Sequence, residues 1–333
     1  MWYNQFYFSL GWVIWMKSNN VKILDCTIRD GGLVNNWDFS VDFVRDTYEA
    51  LNAAGVDYME IGYKNSPELV DAENSGPWRF CEDRFIQEVI PEIKTTKLSA
   101  IVDIGRVNPN HFAPQSESPF TMIRVACYLK DIDKGLDLVE SFHDLGYETT
   151  INIMAVSNSI NSHLVDALQK IEESSVDVAY VVDSFGSLFN RDIEHLVNLF
   201  KQYAPSKKLG IHTHNNLQMA FANTLCGIDL GVEYLDTSVF GMGRGAGNCQ
   251  TELVLGHLTA SRYDMKPILK LIDERFVPLS KEVEWGYNTA YALTGLFNEH
   301  PRSAIAMRKT EGKDQFYNFF NKLTSVETHL DIK

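Results

Sequence analysis

The stretch Gly210–Asn216 contains two histidines, His212 and His214, two positions apart in a run with strand-like apolar residues. Because successive side chains of a β-strand point to opposite faces, both imidazoles lie on one face, with their Cα atoms roughly 7 Å apart. Two imidazoles in this arrangement can chelate a metal ion. The alternative is that both are structural histidines in the core of a sheet or barrel.

Two other stretches favour the metal site. One is Asp25–Gly32, with the sequence DCTIRDGG, and the other is Gly241–Asn248, with the sequence GMGRGAGN. Each lies where an apolar run meets a polar or glycine-rich turn. Asp30 adds a carboxylate to His212 and His214, and such a set binds a divalent cation with about half of its octahedral positions open to water or substrate. We expect Mn²⁺ or Mg²⁺, with Zn²⁺ as a further option and non-haem Fe(II) as the alternative.

Arg29 stands directly before Asp30. Its guanidinium is permanently charged, and beside a metal ion it suits an enolate oxygen on which negative charge develops. The structural alternative is an ion pair with Glu60 or Asp183, which occupy comparable positions at the ends of later strand-like runs. We interpret Arg29 as a catalytic residue.

The glycine-rich turn contains a G-x-G-x-x-A pattern that resembles a dinucleotide fingerprint. A true fingerprint opens the first βαβ unit, whereas no further strand follows this turn, so NAD is excluded. Backbone amides at this place in a barrel commonly hold anionic groups, which predicts substrate binding at Gly243 and Gly245. Asn248, at the end of the turn, can reach the metal or its ligands.

The elements that position these residues form a repeating pattern. Eight short apolar runs predict strands over Val21–Arg29, Tyr58–Tyr63, Leu98–Ile104, Thr121–Leu129, Thr149–Val156, Val176–Asp183, Lys208–His214 and Tyr234–Phe240. Amphipathic helical stretches lie between them, among them Val41–Ala54, Phe85–Ile93, Ile132–Leu145, Ser162–Glu173, Arg191–Tyr203, Leu217–Leu230 and Thr251–Ser261. This alternation is typical of an α/β fold and predicts a (β/α)₈ TIM barrel, in which strands 1 and 7 share an inward layer.

The chain divides into three predicted parts. Residues 1–20 are an N-terminal tail, 21–262 form the barrel, and 263–333 form a small helical extension with helices over Pro267–Lys281, Tyr287–Phe297 and Gln315–Leu323. The tail has an aromatic run, Phe6–Trp15, that is too short to span a bilayer as a helix. We interpret Met16 as the start of translation or the preceding residues as a loosely held tail, and a membrane-associating segment is the alternative.

Composition narrows the class of partner. The 333 residues carry a net charge of −14, which argues against nucleic acid, since phosphate binding needs a basic surface. Five cysteines without a C-x-x-C pair suit a reducing compartment. We expect a cytoplasmic homo-oligomer that acts on a small molecule and contacts no membrane.

Residues 22–260 resemble the DRE-TIM metallolyase superfamily, which includes 3-hydroxy-3-methylglutaryl-CoA lyase, isopropylmalate and homocitrate synthases, and 4-hydroxy-2-oxovalerate aldolase. The matching motifs are D-x-T-x-R-D at Asp25–Asp30, H-x-H at His212 and His214, and the turn Gly241–Asn248. The resemblance implies that Asp30, His212 and His214 bind a divalent metal, that Asn248 completes or supports the site, and that Arg29 stabilises an enolate. The stretch Asp183–Gly186 also resembles the end of strand 6 in the aldolase branch. We predict a catalytic role for Asp183 and substrate binding by Ser184 and Glu60.

One departure concerns the general base. The hydroxy-oxo-acid aldolases carry a histidine four residues after the arginine, and this chain has Leu33 there. Leucine cannot accept a proton, so either another group such as Tyr63 or His300 replaces the histidine, or the substrate differs. The segment after the barrel is also too short for a leucine-binding regulatory domain, which argues against the acyl-CoA synthases.

These residues predict a metal-dependent aldolase, a carbon–carbon lyase that acts on a 4-hydroxy-2-oxo acid through a pyruvate-type enolate, with an aldehyde as the other partner. The first alternative is a Claisen-type synthase that joins an acyl-CoA to a 2-oxo acid, or an HMG-CoA lyase-like enzyme. The second is a non-catalytic barrel that binds metal or ligand, which the absence of a base at Leu33 keeps open.

Overall fold

In a computed structural model, eight parallel strands close into a barrel in the order β1 to β8. The structure describes residues 21–258 and 262–325. The strands are β1 Lys22–Asp25, β2 Tyr58–Tyr63, β3 Lys97–Asp103, β4 Phe120–Tyr128, β5 Glu148–Met154, β6 Val178–Asp183, β7 Lys208–Thr213 and β8 Tyr234–Thr237. Strand β1 pairs with β8, which completes the closure. The predicted (β/α)₈ barrel is confirmed.

The helices of the barrel region are α1 Thr27–Asn35, α2 Val41–Ala54, α3 Asp83–Val89, α4 Ile132–Asp144, α5 Asn161–Glu173, α6 Asn190–Tyr203, α7 Ala220–Asp229 and α8 Thr251–His257. Short 3₁₀ turns lie at Pro67–Leu69, Pro77–Arg79, Pro109–His111, Gln115–Glu117, Leu129–Asp131, Val156–Asn158 and Val239–Gly241. Gly55 ends α2 with a φ of 79°, a left-handed conformation that glycine adopts without strain.

The remaining helices follow the barrel. They are α9 Lys266–Leu271, a π-helical stretch Ile272–Phe276, α10 Val277–Leu279, α11 Thr289–Leu296, α12 Arg302–Arg308 and α13 Phe316–Thr324. The predicted helix Pro267–Lys281 is therefore continuous but changes its hydrogen-bond pattern midway. Helix α12 has no counterpart in the prediction. None of the described helices is long and apolar enough to cross a membrane.

The core has two layers, as the alternation of strand side chains requires. Outward-facing strand residues pack against the helices in the large cluster that includes Ile23, Met59 and Ile211. The inward-facing ones form a smaller cluster that includes Leu24, Tyr58 and Tyr180. The barrel interior is therefore filled by side chains, and only its ends are open to ligands.

Two predicted strands are too long. Strand β1 ends at Asp25, because the Asp25 carboxylate accepts the Thr27 N–H at 3.0 Å and the chain turns there into α1. Strand β8 ends at Thr237, and Phe240 has a φ of 55°, which a strand cannot accommodate. The prediction that Asp30 lies at the end of a strand is therefore wrong, because Asp30 lies within α1. The predicted N-terminal tail and the translation start at Met16 lie outside the described residues.

Candidate metal centre and active site

Arg29 and Asp30 lie in the first turn of α1, one helical turn beyond the end of β1. The Asp30 N–H bonds to the Cys26 carbonyl at 2.9 Å, and the Trp37 indole donates to the Arg29 carbonyl at 2.9 Å. The turn Gly241–Asn248 packs on the same end of the barrel, because His214 pairs with Asn248 in an isolated antiparallel bridge. These contacts bring the three sequence motifs to one barrel mouth.

The ligand atoms of Asp30, His212 and His214 all lie within 4.8 Å of one another. All three residues are buried. His212 Nδ1 lies 3.0 Å from Asp236 Oδ2, which leaves its Nε2 for a ligand. His214 Nδ1 lies 4.0 Å from Asp30 Oδ2. The structure therefore brings together the three side chains that the sequence predicted as metal ligands.

Unpartnered polar atoms support the fit to a cation. His214 Nδ1 and Asn248 Oδ1 are both buried and have no hydrogen-bond partner within the described residues. Asn248 Nδ2 donates to Asp30 Oδ2 at 2.6 Å, so the amide also orients the carboxylate. A buried polar atom without a partner is costly, and a divalent ion among two imidazoles, a carboxylate and an amide oxygen would satisfy these atoms.

A second group, Cys26, His212 and Asp236, also has metal-ligand atoms close together. It fits a cation less well. Burial raises the pKa of the Cys26 thiol, which keeps it protonated, and the thiol points to the Thr237 carbonyl at 3.1 Å. Asp236 is already neutralised by Arg124, whose Nη2 lies 2.7 Å from its Oδ2.

A chain of buried ion pairs connects Asp30 to His212. Arg29 binds Asp30 Oδ1 at 2.8 Å and Glu60 Oε2 at 2.6 Å. Arg124 binds Glu60 Oε1 at 3.0 Å and then Asp236, which holds His212. Each carboxylate has a cation within reach, so the network avoids an unpaired buried charge.

This electrostatic arrangement keeps the predicted ligands in the states that bind metal. Burial alone would raise the pKa of Asp30, but the positive charge of Arg29 is the main effect that outweighs it and holds the pKa well below its usual range. Burial lowers the pKa of His214 well below its ordinary value, and Arg244 lowers it further. Asp30 is thus ionised and His214 neutral at physiological pH, as metal ligation requires.

The other predicted site residues lie around this centre. Glu60 uses both carboxylate oxygens for Arg29 and Arg124, and its contact with substrate stays a prediction. Gly243 approaches the ligands so closely that a Cβ there would lie 2.7 Å from Asp30 Oδ2 and 2.5 Å from Asn248 Nδ2. Gly245 has a φ of 62°, in the region that favours glycine.

Asp183 and Ser184 face a neighbouring loop. The Asp183 carboxylate accepts the N–H groups of Ser187 at 3.0 Å and Leu188 at 3.3 Å, and burial raises its pKa to about 7. It belongs to neither group of metal-ligand atoms. Ser184 accepts the Ala155 N–H with its Oγ and, with its carbonyl, a hydrogen bond from Arg244.

The two predicted bases differ in their surroundings. Tyr63 ends β2 with its ring edge-on to Trp37, and burial, with a smaller contribution from the Asp103 carboxylate, raises its pKa. His300 lies 3.1 Å from Arg244, and its pKa is lowered to about 3 by burial and by the nearby cations. Leu33 is partly exposed and lines a cavity of about 320 Å³ together with Arg244, Gly245 and Tyr291.

Three residues of this site were not singled out from the sequence: Arg124, Asp236 and Arg244. Arg124 and Asp236 are charged residues inside apolar strands, a pattern that signals a buried ion pair but not its partner. Arg244 stands within the glycine-rich turn that was already marked as ligand-binding. Its position in that turn was the available signal.

A closed (β/α)₈ barrel with two histidines and an aspartate at one mouth defines a class of metal-dependent barrel enzymes. Residues 20–274 match the HMGL-like family. The chain belongs to the HMGL-like family, and the predicted DRE-TIM superfamily is confirmed.

Several relatives are similar over most of their length. An oxaloacetate decarboxylase of Mycobacterium tuberculosis is 29% identical over 256 residues, 73% of each chain. A 4-hydroxy-2-oxovalerate aldolase of Carboxydothermus hydrogenoformans is 27% identical over 310 residues, 89% of this chain and 90% of the relative. The family and these relatives identify the chain as a carbon–carbon lyase of a metal-dependent superfamily, as predicted.

Two solved structures share the fold. The N-terminal domain of a candidate aldolase from Bacteroides vulgatus has a TM-score of 0.76 at 28% identity and covers 91% of this chain and 100% of that one. Hydroxymethylglutaryl-CoA lyase from Pseudomonas aeruginosa has a TM-score of 0.65 at 18% identity, over 79% and 94% of the two chains.

Proposed function

We propose that this protein is a divalent-metal-dependent aldolase that cleaves a 4-hydroxy-2-oxo acid to an aldehyde and pyruvate or a close analogue. The observation that carries the proposal is the Arg29 guanidinium, held 2.8 Å from the predicted metal ligand Asp30 at the barrel mouth. A cation fixed at this position stabilises the negative charge that develops on an enolate oxygen. The aldolase names of several relatives support the same reaction.

The predicted ligands Asp30, His212, His214 and Asn248 would hold Mn²⁺ or Mg²⁺, with Zn²⁺ as the further option. When bound, the cation supplies Lewis-acid polarisation of the 2-oxo group. The 4-hydroxyl loses its proton, the C3–C4 electron pair moves to form the enolate, and the aldehyde departs. Arg29 donates hydrogen bonds to the enolate oxygen, and the enolate carbon then takes up one proton to give the methyl group.

Protons in this scheme require a donor and an acceptor. Tyr63 keeps its phenolic proton, since burial raises its pKa, and we assign to it the return of a proton to the enolate carbon. His300 is neutral but very weakly basic, because its pKa is lowered to about 3. We therefore assign the 4-hydroxyl proton to water in the cavity beside Leu33 and Arg244.

The direct test is exchange of the methyl protons of pyruvate in D₂O with Mg²⁺ and without aldehyde, followed by mass spectrometry. We expect exchange with the wild type. Arg29→Lys should slow it by roughly 10² or more, because one ammonium cannot reproduce the planar fork between enolate and Asp30. Arg45→Lys is the matched control, because Arg45 is an exposed arginine paired with Asp42 on α2.

Other outcomes separate the alternatives. Exchange of the acetyl-CoA methyl protons without exchange of pyruvate or 2-oxobutyrate would favour the Claisen-type reaction. Exchange of none of these compounds would favour the non-catalytic barrel. A homo-oligomeric state and a cytoplasmic location remain predictions.

A further inference from the structure

Arg244 is an arginine at the active-site mouth that forms no ion pair within the part of the chain that the structure describes. Its Nη2 donates to the Ser184 carbonyl at 2.7 Å and lies 3.5 Å from His214 Nε2. Its Nε is buried and has no hydrogen-bond partner within the described ranges. Among those same residues no carboxylate forms an ion pair with it, whereas Arg29 and Arg124 each bind two.

A partly buried cation without an ionic partner among the described residues is costly. Burial outweighs the attraction of Asp30 and lowers the pKa of Arg244, although the guanidinium stays charged at neutral pH. An anion that binds the Arg244 guanidinium offsets this cost of desolvation. The position of Arg244 therefore suits a group that is present only when substrate is bound.

His300 provides a second donor at the same place. The backbone N–H of Arg302 donates to His300 Nδ1 at 3.2 Å, which favours the neutral tautomer with its proton on Nε2. That Nε2 faces Arg244 Nη1 at 3.1 Å, and a guanidinium can only donate. Two donors thus converge without an acceptor between them, an arrangement that an anion's oxygen atoms would satisfy.

The two arginines reach the centre from different sides. Arg29 approaches through Asp30 and Glu60, while Arg244 approaches through His214 and lines the cavity of about 320 Å³ next to Leu33. Of the two glutamates lining this cavity, Glu284 is bound to Arg308 and Glu282 is exposed. The Arg244 side is therefore available to the part of the substrate that extends away from the enolate.

We propose that Arg244 and His300 bind a carboxylate on the aldehyde partner, so that the preferred substrate is a 4-hydroxy-2-oxo dicarboxylate. This inference rests on the proposed aldolase function and specifies its substrate class. The metal and Arg29 balance the charge of the pyruvate half, and Arg244 balances the charge of the other half. Leu33, in place of a histidine, lines the wall of the same cavity.

The experiment compares matched acceptors in the aldol addition of pyruvate with Mg²⁺: glyoxylate against acetaldehyde, and succinic semialdehyde against butanal. We expect the wild type to favour the carboxylated member of at least one pair. Arg244→Met should lower kcat/KM for that acceptor on the order of 10- to 100-fold, the usual effect of losing hydrogen bonds to a charged group, with a much smaller loss for the uncharged one. Arg244→Lys should recover part of the preference, and His300→Phe should weaken it.

Lys309→Met is the matched control, because it removes an exposed cation of the same cavity. An equal loss of preference in this variant would show a general charge effect and overturn the assignment to Arg244. The affinity of metal-loaded protein for oxalate, a probe of the pyruvate half, is measured by calorimetry in wild type and Arg244→Met. A loss of oxalate affinity as large as the loss of kcat/KM would mean that Arg244 holds the carboxylate of pyruvate instead.

The failures of the two proposals are distinguishable. Wild-type exchange of pyruvate methyl protons together with equal use of charged and uncharged acceptors overturns the dicarboxylate proposal and leaves the aldolase function standing. Absence of exchange and of aldol addition with every acceptor overturns the aldolase function itself.

Discussion

The orientation of His212 depends on one side chain, that of Asp236. Its Oδ2 lies 3.0 Å from His212 Nδ1 and 2.7 Å from Arg124, and both residues lie within the barrel. A carboxylate that accepts from Nδ1–H selects the tautomer whose Nε2 can bind metal and makes that nitrogen more basic. Asp236 is thus a positioning residue for the predicted metal centre.

We expect Asp236→Asn to lower the affinity for Mn²⁺ by about 10- to 100-fold, as loss of such a partner typically does. Calorimetric titration of metal-free protein gives the affinity directly. Glu148→Gln is the control, because Glu148 is a partly buried carboxylate that accepts from Tyr58 and Tyr234 at the other end of the barrel. Unchanged affinity in Asp236→Asn, or an equal loss in both variants, would contradict the assigned role.

The element that shapes the site most closely is the turn Gly241–Asn248. Two hydrogen bonds hold it against the end of β7: Asn215, just after the strand, donates its N–H to the Gly247 carbonyl at 2.8 Å, and Cys249, just after the turn, donates its N–H to the Thr213 carbonyl at 3.2 Å. At Gly243 this clamp brings the backbone against Asp30 and Asn248. Glycine is required at this position because a Cβ would not fit, and not because of its backbone conformation, since its φ is outside the left-handed region.

Gly243→Ala should therefore push Asp30 and Asn248 apart, and we expect at least a tenfold loss of Mn²⁺ affinity and a loss of about 1–3 kcal/mol in the free energy of unfolding. Titration calorimetry and urea denaturation measure the two effects. Gly312→Ala is the control, since a Cβ there meets its neighbours at ordinary contact distance, 3.6 Å or more. Wild-type metal affinity in Gly243→Ala would show that the turn does not press on the ligands.

At the scale of the whole molecule, buried carboxyl groups make stability depend on pH. Burial raises the pKa of Asp183 to about 7 and that of Asp25 to about 6, while both titrate near 4 in the unfolded chain. Between pH 4 and pH 7 the folded protein then binds more protons at these sites than the unfolded chain does. The stabilisation is complete below pH 4 and is lost as the pH rises through the folded-state pKa values.

The lowered pKa values of His214 and His300 act in the opposite direction, so the test compares variant with wild type. Relative to metal-free wild type, we expect the free energy of unfolding of Asp183→Asn to increase by on the order of 2 kcal/mol between pH 5 and pH 8. Urea denaturation in the presence of a chelator measures this. Asp133→Asn serves as the control, since Asp133 is an exposed carboxylate paired with Lys170. A pH profile of Asp183→Asn that runs parallel to the wild type would show that Asp183 titrates normally.

Much of this architecture could be predicted from the sequence, because its signals are local. Strand side chains repeat every two residues, so the H-x-H run alone puts His212 and His214 on one face. Helical spacing with a glycine stop defines α2 at Val41–Ala54, as observed. The order of three motifs along the chain was sufficient for the family.

The tertiary structure alone determined which charged groups meet. Asp30 lies on a helix because the Asp25 carboxylate, held by Thr251, ends the strand early, and that partner is 226 positions away. Arg124 meets Asp236 across 112 positions, and Arg244 meets His300 across 56. Such pairs depend on barrel closure and on the placement of the helices that follow the barrel, and no local sequence period encodes either. The tertiary structure alone therefore showed that Arg124 neutralises the buried carboxylates and that Arg244 is available to bind substrate.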